Sequence, residues 1–113
     1  MKKITKTKTV KKVSSKKKKV LVIANNQNAF WVYRGPTLRS LFDLAKFLEI
    51  MTDEQFVYHT ARKLPDGRTG GNDFVPWISQ VLADRTCAAA LGRAHTRNAA
   101  LAAVRRALAG YNV

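Results

Sequence analysis

Charge is spread so unevenly along this chain that only part of it can be expected to fold alone. Residues 1 to 19, MKKITKTKTVKKVSSKKKK, hold ten lysines, no acidic residue and only a few isolated apolar side chains. Residues 20 to 113 hold eleven basic and seven acidic side chains, so the first segment contributes +10 and the rest +4 of the net +14. A segment this poor in apolar groups cannot bury enough surface to offset its ordering entropy, and it is expected to be disordered until it meets a polyanion. The expected organisation is therefore a basic tail over 1 to 19 and one small domain over 20 to 113.

Targeting signals and cysteine chemistry narrow the class. Val20 to Ala24 is the first apolar run, and the polar stretch Asn25 to Asn28 ends it after five residues. That is too short for a signal-peptide core or a membrane span, and a lysine tail without arginine is unlike a mitochondrial transit peptide. The single cysteine, Cys87, allows neither an internal disulfide nor a cysteine-based zinc cluster. Such cysteine usage fits a reducing, cytoplasmic setting.

Along the body, Val20 to Ala24 and Phe30 to Tyr33 are β-prone and read as a small hairpin or two strands. Arg34-Gly35-Pro36 breaks the pattern, and Thr37 is the expected cap of a helix whose inward stripe is Leu38, Leu41, Phe42, Ala45, Leu48 and Met51. Thr52, followed three positions later by Gln55, has the spacing of a capping box for a helix over about 53 to 62. This helix places Phe56 and His59 one turn apart on one side. Pro65-Asp66-Gly67 and Gly70-Gly71 make a loop, and a third helix starts at Asp73 with Phe74, Trp77, Ile78, Val81 and Leu82 inward. Thr86 and Thr96 read as caps of two more helices, the last carrying Leu101, Val104, Leu108 and Tyr111 on one face before Gly110. The fold class expected is mainly α, four to five helices with a short β element at the start of the body.

The runs FWVYRGPTLRSLFDLAKFLEIMTDEQFVYHT and NDFVPWISQVLAD resemble a family of small bacterial and archaeal domains of unknown function. The resemblance rests on Gly35, Leu38, Leu41, Leu44, Phe56, His59, Asn72, Asp73, Phe74, Trp77 and Ile78, with Asn-Asp-Phe-x-x-Trp-Ile its most specific part. It covers roughly residues 30 to 110 and implies a fold and a prokaryotic source, but no activity.

Two readings compete for Phe56, His59, Asn72, Asp73 and Trp77. A carboxylate orienting an imidazole is half of many hydrolytic sites, so His59 and Asp73 could activate a nucleophile or a water, or line a ligand notch. No Gly-x-Ser-x-Gly elbow and no metal-ligand spacing accompany them. In the structural reading, Asp73 caps the third helix, Asn72 turns the loop and His59 bonds to one of them, with Trp77 and Phe74 filling the core beside Phe56. The structural reading is the better supported. The DGRTGGN loop lacks the Lys-Ser or Lys-Thr ending of a phosphate loop and follows no strand, so no nucleotide cofactor is expected.

The lysines point most directly to function. Lys2, Lys3, Lys6, Lys8, Lys11, Lys12, Lys16, Lys17, Lys18 and Lys19 are expected to contact phosphates of DNA or RNA and release counterions without reading sequence. Arg93, Arg97, Arg105 and Arg106 offer a second patch on the last helices, or simply a solvated face. Trp31 and Tyr33 beside Arg34 can stack bases, although aromatics on a short strand more commonly join a core. The expectation is a non-enzymatic nucleic-acid-binding protein, associated with nucleoid or ribosome. Its alternatives are an adaptor docking on a protein partner, with a tail that adds avidity for acidic surfaces, and a small enzyme using His59 and Asp73.

Overall fold

The computed structural model describes residues 18–112. Three short strands come first: β1 (Lys19–Val20), β2 (Phe30–Trp31) and β3 (Thr37–Leu38). Five helices follow, α1 (Leu41–Leu48), α2 (Asp53–Thr60), α3 (Phe74–Pro76), α4 (Arg85–Gly92) and α5 (Arg97–Leu108), before β4 (Tyr111–Asn112). The body is mainly helical, as its periodicity predicts.

Thr37 and Ser40 compete for the first helix start, and Ser40 takes it. Thr37 pairs instead with Trp31 across the antiparallel β2–β3 ladder, where Phe30 faces Leu38. Ser40 has extended backbone and its hydroxyl accepts from the Asp43 amide, while the Asp43 carboxylate accepts from the Arg39 amide at 3.0 Å. Because α1 begins at Leu41, Leu38 is not on it and the inward stripe rotates to Leu41, Leu44, Ala45, Phe47 and Leu48. Phe42, expected inside, is 44% exposed.

The capping box at α2 forms as expected: the Thr52 hydroxyl accepts from the Gln55 backbone N–H at 3.1 Å, and Gln55 Oε1 accepts from the Thr52 backbone N–H at 2.9 Å. The helix stops at Thr60, short of the expected 62, because the chain turns at Ala61 into a small hairpin. In that hairpin Gly70 N–H donates to the Arg62 carbonyl at 2.6 Å, and Lys63 bridges Thr69. The third helix departs from regular geometry. Beyond Pro76, residues Trp77–Val81 form a π-helical turn, closed by Leu82 N–H donating to the Trp77 carbonyl five residues back. Such a turn inserts one residue into the ladder. Trp77, Ile78 and Leu82 all remain buried around it. The turn ends at Ala83 in the left-handed region, φ +58°. Asp84 rather than Thr86 then caps α4, its Oδ1 accepting from Cys87 N–H at 2.9 Å. Thr96 caps α5 as predicted.

Strand pairing follows a different plan from the expected one. Val20 to Ala24 does not pair with Phe30 to Tyr33; β1 runs parallel to β4, Lys19 opposite Tyr111 and Val20 opposite Asn112. The segment then rejoins the body where Ala24 N–H donates to the Arg39 carbonyl at 2.7 Å. Lys19, assigned to the tail by composition, thus lies inside a paired strand. Helix α5 packs against both α1 and α4. Phe74, Leu41, Leu44, Leu48, Ile78, Leu91 and Val104 form the fully buried centre.

Beneath the β1–β4 pair lies a buried polar cluster. The Tyr111 hydroxyl donates to Asp84 Oδ2 at 2.6 Å, and Lys19 Nζ stands 3.9 Å from the same oxygen. Burial, reinforced by the Asp84 charge, pushes the Cys87 thiol up to about 12 from an ordinary 9.0. Burial and then the hydrogen bond to Asp84 raise the Tyr111 phenol as well. Both groups hold their protons in the fold at pH values where the unfolded chain has released them, so stability falls as pH rises above about 9. The slope is at most about 1.4 kcal/mol per pH unit for each group. Urea midpoints measured from pH 8 to pH 11 (roughly the window set by these groups) are expected to decline steadily. Tyr111→Phe removes the tyrosine part of that decline and costs about 1–3 kcal/mol at neutral pH by leaving Asp84 short of a donor. A flat profile in the wild type would show that neither group is protected by the fold.

Candidate functional site

His59 is the junction of three segments. It lies on α2, is only 4% exposed, and both ring nitrogens are engaged. Tyr33 N–H donates to Nε2 at 2.9 Å, and Nδ1 lies 3.1 Å from Asp73 Oδ2. A main-chain amide can only donate, so Nε2 is the unprotonated nitrogen and Nδ1 carries the hydrogen toward the carboxylate. This arrangement fixes a neutral imidazole with a single tautomer. No lone pair of His59 faces solvent, and the position that a nucleophile occupies in a His-carboxylate site is filled by the Tyr33 amide.

The sequence motif is therefore brought together, with some roles exchanged. Asp73 makes no capping bond to its helix; Asn72 Oδ1 accepts from Phe74 N–H at 2.9 Å instead. The backbone explains the exchange: Asp73 is already helical, at φ −67° and ψ −27°, so Asn72 stands where a cap side chain can reach the first amides. Asp73 is left free to meet His59 and Arg62 Nη1, the latter at 3.3 Å. Phe56 and Trp77 are buried, and the indole N–H of Trp77 donates to the Asn28 carbonyl at 2.8 Å. Phe30 packs edge-on to His59 and stacks on Phe74 with ring centres 4.7 Å apart.

The turn that supplies the Tyr33 amide is itself held in place. Gln55 Nε2 donates to the carbonyls of Tyr33 and Arg34, and Arg34 has a left-handed φ of +55°. A Cβ on Gly35 would sit 2.8 Å from Val32 Cγ1 and 2.9 Å from Gln55 Nε2, so only glycine fits. On the outer side the Tyr33 and Tyr58 rings stack at 4.0 Å, only 4° from parallel. The Arg34 guanidinium lies 5.1 Å from the Tyr33 ring centre and that of Arg62 lies 4.5 Å from Tyr58. This cation–ring–ring–cation column escapes a motif search, but a signal for half of it was present. Tyr58 and Arg62 are four residues apart, the spacing of neighbours on the helix expected over about 53 to 62, and although α2 ends at Thr60, Arg62 Nη1 still donates to the Tyr58 carbonyl at 3.0 Å.

The basic residues separate into distinct environments. Lys2, Lys3, Lys6, Lys8, Lys11, Lys12, Lys16 and Lys17, with the expectation of a disordered tail, lie outside the described residues. Lys18 is exposed. Lys19 and Arg106 line one cleft of about 150 Å³ together with Asp84, Thr86 and Cys87. Arg97 does not join a patch: its Nη1 donates to the Leu48 carbonyl at 2.7 Å, closing the C-terminus of α1. Arg105 pairs with Glu49 at 2.8 Å. Arg93 is exposed at the end of α4. The four arginines thus do not form one free cationic face.

No family model, curated protein or solved structure matches the chain. Among the described residues no group of three His, Cys, Asp or Glu is placed to hold a metal ion. The DGRTGGN loop belongs to the small hairpin after α2. Its Gly67, Arg68 and Gly70 amides are bonded within the small hairpin, and Arg68 pairs with Asp66 at 2.6 Å.

His59→Ala is expected to lower stability by on the order of 3 kcal/mol, through an unpaired Tyr33 amide and a cavity beside Phe30. Gly35→Ala is expected to act in the same direction. Thermal melts check both. An unchanged melting temperature for His59→Ala would mean that the ring does not hold the junction.

Proposed function

We propose that this protein is a non-enzymatic binder of nucleic acid that grips phosphate backbones through its lysine-rich N-terminal segment. The observation that carries this reading is the separation of charge: +10 within residues 1 to 19, against +4 spread over the body. Each lysine that neutralises a phosphate releases a condensed counterion, and lysine, unlike arginine, has no planar fork for base edges. The result is affinity with little sequence preference.

The body supports the reading in two ways. Where the described chain begins, Lys18 is exposed and Lys19 shares a cleft with Arg106, so cationic side chains of the body adjoin the proposed contact segment. His59, the best candidate for acid-base work, is committed on both sides to structural bonds. On this reading the motif that resembles a small prokaryotic domain family marks an architecture, and association with nucleoid or ribosome would follow from the polymer bound. No helix among the described residues is long and apolar enough to cross a membrane.

The test uses the full chain with Lys2, Lys3, Lys6, Lys8, Lys11, Lys12, Lys16, Lys17 and Lys18 changed to glutamine. Lys19 is kept because β1 needs it. The wild type is expected to bind duplex DNA with a logarithmic salt slope of about −0.9 per phosphate contacted. The glutamine chain should keep its fold by circular dichroism and lose nearly all of that affinity and slope. Retention of full affinity by the glutamine chain would overturn the proposal.

A further inference from the structure

Large apolar side chains that the fold leaves outside gather around one groove. It measures about 360 Å³ and is lined by Pro36 and Thr37 from the β3 side and by Phe42 and Ile50 from α1 and the turn after it. Phe42 is 44% exposed and Ile50 74%. Trp31, 71% exposed, is the ladder partner of Thr37. Directly opposed residues of an antiparallel pair project from the same face of the ladder, so the indole stands beside the groove. Together the three side chains expose on the order of 400 Å², the size of apolar patch that marks a contact surface. The charged residues lining the groove are one of each sign, Asp43 and Lys46, a turn apart on α1. Among the described residues neither is paired with another charge. Asp43 Oδ2 accepts from the Arg39 amide, which leaves the other oxygen for a cation.

We propose that this face pairs with the same face of a second copy of the chain, each Trp31 entering the groove of the other copy. A two-fold interface must be complementary to itself. Here a protruding indole and an apolar groove lie side by side, so one rotation seats both indoles. With the axis crossing α1 between Asp43 and Lys46, the two helices run antiparallel and Asp43 of each copy meets Lys46 of the other. Two such patches and the groove lining bring the buried surface to about the 1,000 Å² at which a specific, weak dimer begins. The pairing does not rest on the polyanion reading. Its consequence for that reading is that two lysine-rich segments reach one polymer, which raises avidity without a new contact.

The experiment is sedimentation velocity on the full chain without nucleic acid, from about 1 μM to about 200 μM, a range that brackets a weak dimer. The wild type is expected to pass from monomer to dimer within it and to go no further. The +14 of each copy opposes association, so the dimer should strengthen as salt rises, whereas tail binding to a polyanion weakens. Trp31→Ala and Ile50→Ser should each raise the dissociation constant roughly tenfold while the circular dichroism spectrum stays unchanged. Lys46→Glu should weaken pairing more than Lys46→Gln, because it sets like charges together. A wild type that stays monomeric throughout, or that assembles without limit, overturns the pairing and leaves the tail reading untouched. A dimer that Trp31→Ala and Ile50→Ser leave intact overturns it as well, since it then uses another face.

Discussion

The fold depends on one imidazole receiving a hydrogen bond on one side and giving one on the other. Neutral histidine alone among the side chains offers a ring nitrogen of each kind in one rigid plane. His59 uses both, so the Tyr33 turn and the start of α3 are fixed relative to α2 by a single buried ring. Around it Phe30, Phe74 and Tyr58 leave the ring little freedom. The bond to Tyr33 also explains why a residue with left-handed backbone and a glycine with no room for a Cβ follow at once. The turn must bring a main-chain amide, not a side chain, to Nε2, and Gln55 holds the two carbonyls on its other side.

A second polar lock closes the far end of the molecule by the same logic. Asp84 is 4% exposed, and each of its oxygens has a donor: the Cys87 amide on one, the Tyr111 hydroxyl on the other. A carboxylate so enclosed would be costly without partners. Here it joins the cap of α4 to the last strand. Lys19, with its ring contact to Tyr111 at 5.2 Å, completes the lock from the other end of the body.

How much of this was legible depended on sequence distance. The Thr52–Gln55 capping box and the Thr96 cap each need only residues within one helical turn, and both were readable. The choice of Ser40 over Thr37 was not, because it is made by the pairing of Thr37 with Trp31 on another strand. Asp84 displaced Thr86 for a similar reason, since its second oxygen serves Tyr111, far along the chain. The parallel β1–β4 pair joins the two ends of the body and leaves no local trace. At the site, the pattern Phe-x-x-His with Asn-Asp correctly brought His59 and Asp73 together. Which of Asn72 and Asp73 would cap α3 was set by a backbone angle that residue type does not specify. The arginines show the same limit: Arg97 reads as a solvated helix residue, yet it reaches the end of α1.

Those arginines also clarify why the charge of this protein is divided as it is. Within the body, four of the cations serve intramolecular contacts: Arg97 on carbonyls, Arg105 on Glu49, Arg68 on Asp66 and Arg62 on Asp73. At +4 over residues 20 to 113, the body carries far less charge per residue than the +10 of residues 1 to 19, and so exerts the weaker long-range pull on a polyanion. On the proposed reading, the ten lysines of residues 1 to 19 are the charges that follow phosphates. Salt acts differently on exposed charges, the Arg68–Asp66 and Arg105–Glu49 pairs among them, and on the buried locks. It screens exposed charges over about 8–10 Å near physiological ionic strength but acts much less on buried pairs. On the proposed reading, salt that releases a polyanion from the tail leaves the buried His59 and Asp84 locks closed, so affinity and stability would be governed by different parts of one short chain.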